Sequence, residues 1–78
     1  MSEAITATAS YLVCLDNEGY PASLESRKIY RRLPDQRAEA DGMVRVVDES
    51  GEDYLYPARL FAPIRVPESV ERVFAGAA

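Results

Sequence analysis

The stretch Met43–Phe61 reads "MVRVVDESGEDYLYPARLF". It opens with β-branched residues, passes through a charged turn holding Gly51, and resumes with extended aromatics. Two such runs around a glycine-containing turn predict a β-hairpin, Met43–Val47 against Tyr54–Tyr56. Strand alternation predicts Val44 and Val46 on one face and Arg45 on the other. Leu55 is expected to point inward, with Tyr54 and Tyr56 sharing the opposite face. Pro57 has no N–H for the ladder and ends the pairing. "ARLF" then reads as one tight helical turn, and "APIRV" as a last short strand holding Ile64 and Val66.

Upstream, "YLVCLD" (Tyr11–Asp16) is a short apolar run stopped by "DNEG", whose Asp, Asn and Gly favour a turn. "YPASLES" reads as a long excursion with Leu24 as its core anchor. It returns the chain to a second strand, "RKIYRRL" (Arg27–Leu33). There alternation predicts Ile29 and Leu33 on one face, and Lys28, Tyr30 and Arg32 on the other. After Pro34, "DQRAEADG" predicts a short surface helical turn near 35–41, with Asp35 as N-cap and Gly42 as terminator. "PESVERVFAGAA" predicts a short C-terminal helix, started by Pro67 and carrying Val70, Val73 and Phe74 at helical spacing. That helix either caps the chain's own strands or docks on another subunit. Residues 1–9 read as a flexible N-terminus feeding an edge strand from Ala7 onward, and 10–78 as a single small β-domain.

Seventy-eight residues, 47% of them apolar, suffice for one compact core and leave little for a deep catalytic pocket. The net charge of −4 argues against general affinity for nucleic acid or anionic membrane. Charge is nonetheless segregated. Residues 25–34 carry Arg27, Lys28, Arg31 and Arg32 against Glu25, while residues 35–53 carry seven acids against Arg37 and Arg45. One cysteine precludes an intrachain disulfide, and the absence of histidine removes the commonest general base and zinc ligand. The opening "MSEAITATAS" has no basic start and no long apolar run, so no signal peptide is expected. No stretch reaches membrane-spanning length, and a cytoplasmic protein is the expectation.

Five short strands in so short a chain predict an all-β fold, curled into a small barrel that limits exposed edges. The order of elements, and the residues "DYLYPARLFAPI", resemble Src-homology-3-type barrels. In that family an aliphatic–proline pair precedes one 3₁₀ turn and the last strand. Here Leu55, Tyr56 and Pro57 precede "ARLF", and Ile64 follows. From about Tyr11 to Val66 the chain also resembles small bacterial proteins with "DESGEDYLYP"-type hairpins, a likeness that brings no activity with it. The sequence departs from the peptide-binding barrels in having no tryptophan, and in placing Ala58, Arg59 and Leu60 after Pro57.

Candidate sites follow from these placements. The acids Asp48, Glu49, Glu52 and Asp53 do not have calcium-loop spacing, so they read as turn charges rather than a metal site. Cys14 lies among apolar neighbours without a histidine to activate it, and reads as a core thiol. No enzyme, cofactor or metal is therefore expected. Tyr20, Tyr54, Tyr56 and Phe61 are the binding candidates, since tyrosine joins apolar area to a hydroxyl. By likeness to the barrel family, Tyr20, Pro57 and Phe61, rimmed by Asp16 and Glu18, would form an aromatic groove for a basic, extended peptide. The same aromatics read equally well as core and sheet packing. The alternative partner is a nucleic acid on Lys28, Tyr30 and Arg32, set against pairing of those cations with the acidic hairpin. The expected function is thus a non-catalytic protein-interaction module, monomeric or weakly dimeric.

Overall fold

The computed structural model describes residues 10–76. The expected flexible end at 1–9 lies outside the described residues. The chain is mainly β, with strands β1 (Tyr11–Cys14), β2 (Ile29–Leu33), β3 (Met43–Val47), β4 (Asp53–Pro57) and β5 (Phe61–Ile64). Helix α1 (Gln36–Ala40) links β2 to β3, a 3₁₀ turn (Ala58–Leu60) links β4 to β5, and α2 (Glu68–Gly76) follows. All strand pairs are antiparallel, in the order β4-β3-β2-β1-β5. The sheet does not close, so β4 and β5 are its two edges.

Local chemistry explains the connections. The Asp35 side chain accepts from the Ala38 N–H, satisfying one of the donors that the first turn of α1 leaves open. Gly42 follows at φ +76°, a left-handed conformation that glycine adopts without strain. Gly51 does the same at φ +84° in the hairpin turn. The last strand starts at Phe61 and stops at Ile64, so Val66 falls beyond it. Ala38 is buried, which ties α1 more firmly than a purely polar surface turn.

The register gives the two faces of the hairpin. Val44 faces Tyr56 and Val46 faces Tyr54, so these four side chains share a face, while Arg45 faces Leu55 on the other. Val44, Val46 and Tyr56 are buried. Leu55 is 40% exposed, contrary to the inward position expected for it, and Ile64 is only half-buried. Strand β2 is turned the opposite way from expectation. Tyr30 and Arg32 are buried, while Ile29 and Leu33 are half-buried. Hydropathy favours Ile and Leu inside, but the inner face offers each polar end a partner. The Tyr30 hydroxyl donates to Glu49, and the Arg32 guanidinium to Glu39. A satisfied polar group no longer carries its burial penalty, and the large Tyr ring is then free to fill the core.

That core comprises Leu12, Cys14, Leu24, Tyr30, Val44, Val46, Tyr56, Leu60 and Phe61. Leu24 reaches it from the loop between β1 and β2, as its lone apolar bulk predicted. On the opposite face the Phe74 ring lies 5.2 Å from that of Tyr11, so α2 docks on its own sheet, while Val73 on the same helix is exposed. Among the described residues, no helix is long and apolar enough to cross a membrane.

Candidate functional site

The first loop and the hairpin turn are laced together by backbone and side chain. The Ser23 and Leu24 N–H groups both donate to the Tyr20 carbonyl, closing a turn that presents Ser23. The Ser23 carbonyl then accepts the Glu49 N–H at 3.1 Å. Within the hairpin turn, the Asp48 Oδ1 accepts the Ser50 N–H at 2.8 Å and the Ser50 hydroxyl, while its Oδ2 accepts the Tyr56 hydroxyl. The Tyr20 ring stands edge-on to that of Tyr56, at 4.9 Å between centres and 84° between planes.

An open depression of about 420 Å³ lies between these segments, lined by Tyr20, Ser23, Asp48, Ser50, Tyr54, Leu55 and Tyr56. Tyr54 is 50% exposed and Leu55 40%, so β4 presents apolar area on both of its faces. Tyr56 is buried and forms a floor rather than a free contact. Phe61 lies in the core beside it, 6.3 Å from Tyr56 and 6.4 Å from Tyr30.

The electrostatics are one-sided. Burial pushes the Asp48 carboxyl up, but hydrogen bonds from Ser50 and Tyr56 outweigh it and hold the group below its ordinary value. Burial, followed by the Asp48 charge it donates to, pushes the Tyr56 hydroxyl up to about 12. Glu52 stands nearby and accepts the Tyr54 hydroxyl at 3.0 Å. Among the described residues, neither Asp48 nor Glu52 has a cationic partner. Charge neutralisation occurs elsewhere. Arg45 bridges Asp35 and Asp53, and Lys28 pairs with Glu49 at 2.7 Å.

The expected site residues therefore divide. Tyr20, Tyr54 and Tyr56 come together, with Tyr56 as floor. Pro57, Phe61, Asp16 and Glu18 do not line the depression. Asp16 instead accepts the Glu18 N–H at 2.9 Å and shapes the loop turn. Lys28, Tyr30 and Arg32 do not form one exposed strip. Lys28 is exposed and ion-paired, Tyr30 is buried under it with Lys28 Nζ 5.8 Å from its ring centre, and Arg32 is buried against Glu39. Hydrogen bonds from Lys28 and Tyr30 hold the Glu49 carboxyl below its ordinary value.

Ser23, Asp48, Ser50 and Leu55 were not anticipated as lining residues. An Asp two places before a Ser carries an Asx-turn signal, which identifies the Asp48–Ser50 contact. Nothing local to the sequence brings Ser23 to it. Cys14 is fully buried, and burial pushes its thiol up, away from the nucleophilic form. Among the described residues, no three acidic or sulfur side chains are grouped as a metal would need. Comparison with protein families, curated proteins and solved structures returned no match.

Proposed function

We propose that this protein is a non-catalytic interaction module whose depression between Tyr20 and the Tyr54–Tyr56 strand receives an extended, basic peptide segment. The observation that carries this reading is the pairing of exposed Tyr54 and Leu55 with two carboxylates, Asp48 and Glu52, that have no cationic partner among the described residues. A lysine or arginine of the partner supplies the missing charge, and its aliphatic stem covers the tyrosine rings. The site is rigid where it needs to be, because the loop and the turn are bonded to each other through Ser23 and Glu49.

The succession of strand, long loop, strand, connector, hairpin, 3₁₀ turn and strand supports assigning the domain to the Src-homology-3-type barrel shape. We further propose a bacterial, cytoplasmic protein: the likeness of its "DESGEDYLYP" hairpin to small bacterial proteins supports the first, and the lack of a signal-peptide pattern in the opening residues supports the second. The nucleic-acid alternative has less support, since Tyr30 and Arg32 face inward and Lys28 is engaged by Glu49.

Titration of the isotopically labelled chain with a short arginine- and valine-containing peptide tests the proposal. Amide shifts centred on Tyr20, Ser50, Tyr54 and Leu55, and absent in Tyr54→Ala, are expected. Shifts confined to other surfaces, or stronger binding of a polynucleotide than of the peptide, refute it.

A further inference from the structure

The edge of β4 has a defined polarity that follows from two hydrogen bonds. At the turn end, the Asp48 N–H donates to the Glu52 carbonyl at 3.0 Å. At the other end, the Ala58 N–H donates to the Gly42 carbonyl at 2.9 Å. Both pairs lie on the β3–β4 register, separated by an even number of residues. Antiparallel ladders alternate bonded and non-bonded pairs, so the backbones of Tyr54 and Tyr56 turn toward β3. Those of Asp53, Leu55 and Pro57 turn outward, away from the sheet. Among the described residues no strand covers that edge.

We propose that this edge is self-complementary: two copies of the chain join by antiparallel pairing of β4 with β4 about a two-fold axis at Leu55. Leu55 then faces Leu55 of the second copy, and their outward N–H and C=O groups exchange two hydrogen bonds. Asp53 faces Pro57. Proline has no N–H to give, but its carbonyl accepts from the Asp53 N–H, once on each side of the axis. The side chains fit the same register. Leu55 meets its equivalent on one face, and on the other the exposed Tyr54 lies opposite Tyr56, whose ring stays buried in its own core.

Charge favours a second copy over an unrelated acidic strand. The two-fold sets the acidic tips, with Glu52 and Asp53, at opposite ends of the seam. Each tip then lies alongside the segment just past Pro57, where Arg59 is exposed and without an ion pair among the described residues. Exposed Leu55 and Tyr54 become covered, which is what an open apolar edge otherwise lacks. With Pro57 and Asp53 limiting the seam to a few residues, the dimer is a weak one. Tyr54 and Leu55 also line the depression, so this pairing competes with the peptide proposed to bind there.

Sedimentation velocity over a concentration series of the full chain tests it, with circular dichroism to establish that each variant is folded. The wild-type mass is expected to rise toward that of two chains. Leu55→Lys and Leu55→Glu each set like charges opposite one another at the axis and are each expected to remain monomeric. An equimolar mixture of the two is expected to recover the dimer, because Lys then faces Glu. A wild-type chain that stays monomeric into the millimolar range overturns the proposal. So does a dimer that survives in both variants, or a mixture of folded variants that does not associate.

Discussion

The Tyr56 hydroxyl donates to the Asp48 carboxylate, so the floor of the depression and its buried charge are one hydrogen-bonded unit. Both residues are buried, and the bond has a charged acceptor. Bonds of that kind contribute about 1.5–3 kcal/mol. Tyr56→Phe keeps the ring and its edge-on contact with Tyr20 while removing the donor. It is expected to lower unfolding stability by about that amount at neutral pH. Urea denaturation of the variant against wild type measures this. A loss well under about 1 kcal/mol would show that water replaces the hydroxyl.

Stability at the acid and alkaline limits follows from the same contacts. Asp48 and Glu49 have carboxyls held below their ordinary values in the folded chain. The unfolded state binds protons first, so this contribution is complete above the unfolded carboxylate range of about 4 and is lost as pH falls through the lower folded values. Tyr30 and Tyr56 behave oppositely, because burial and a neighbouring carboxylate raise both hydroxyls, that of Tyr56 to about 12. Their contribution is complete below the unfolded tyrosine value of about 10 and is lost as pH rises through the folded values. Far-ultraviolet dichroism against pH, with tyrosinate absorbance followed in parallel, checks both limits. Tyr56→Phe is expected to remove one late-ionising group. Full tyrosinate formation in the still-folded chain near pH 10 would contradict the assignment.

Lys28 and Glu49 form a pair whose two members are not equivalent. Lys28 is exposed and makes its ion pair in water, so Lys28→Ala is expected to cost less than about 1 kcal/mol. Glu49 also accepts the hydroxyl of buried Tyr30, which in turn accepts the Glu25 N–H at 2.7 Å. Glu49→Ala deprives that hydroxyl of its acceptor, and is expected to cost about 1–3 kcal/mol. Denaturation at two salt concentrations separates the two effects, since only the exposed pair is screened. Equal losses for the two variants would mean that Tyr30 does not depend on Glu49.

The hairpin was legible because its signals are local. A β-branched run, Gly51 at the turn and Pro57 at the close are read within fifteen residues. Asp35 and Gly42 marked the ends of α1 for the same reason. The facing of Leu55 and of β2 was not legible. Alternation says that Leu55 opposes Tyr54 and Tyr56, but not which set turns inward. The core chose the tyrosine side because Asp48 and Glu49 wait there for the hydroxyls of Tyr56 and Tyr30. The depression was legible only in its tyrosines. Ser23 joins it through the Glu49 N–H, a contact between loops that no periodicity encodes.

Arg32 and Glu39 supply the sharpest test of why β2 faces inward. The Arg32 side chain is almost fully buried, and its Nε donates to Glu39 Oε2 at 3.0 Å, with a second bond from Nη2. A buried pair is a weak source of net stability, yet removing one member leaves a charge without compensation. Arg32→Met preserves most of the side-chain length but strands the Glu39 carboxylate, and is expected to cost about 3–5 kcal/mol. For a domain whose whole stability is about 5–10 kcal/mol, that leaves the variant close to unfolding at room temperature. Adding Glu39→Leu removes the stranded charge and is expected to recover most of the loss. Guanidinium denaturation of both single variants and the double variant closes the cycle. If Arg32→Met alone costs less than about 1 kcal/mol, or if Glu39→Leu deepens its loss, the ion pair does not govern the strand's orientation.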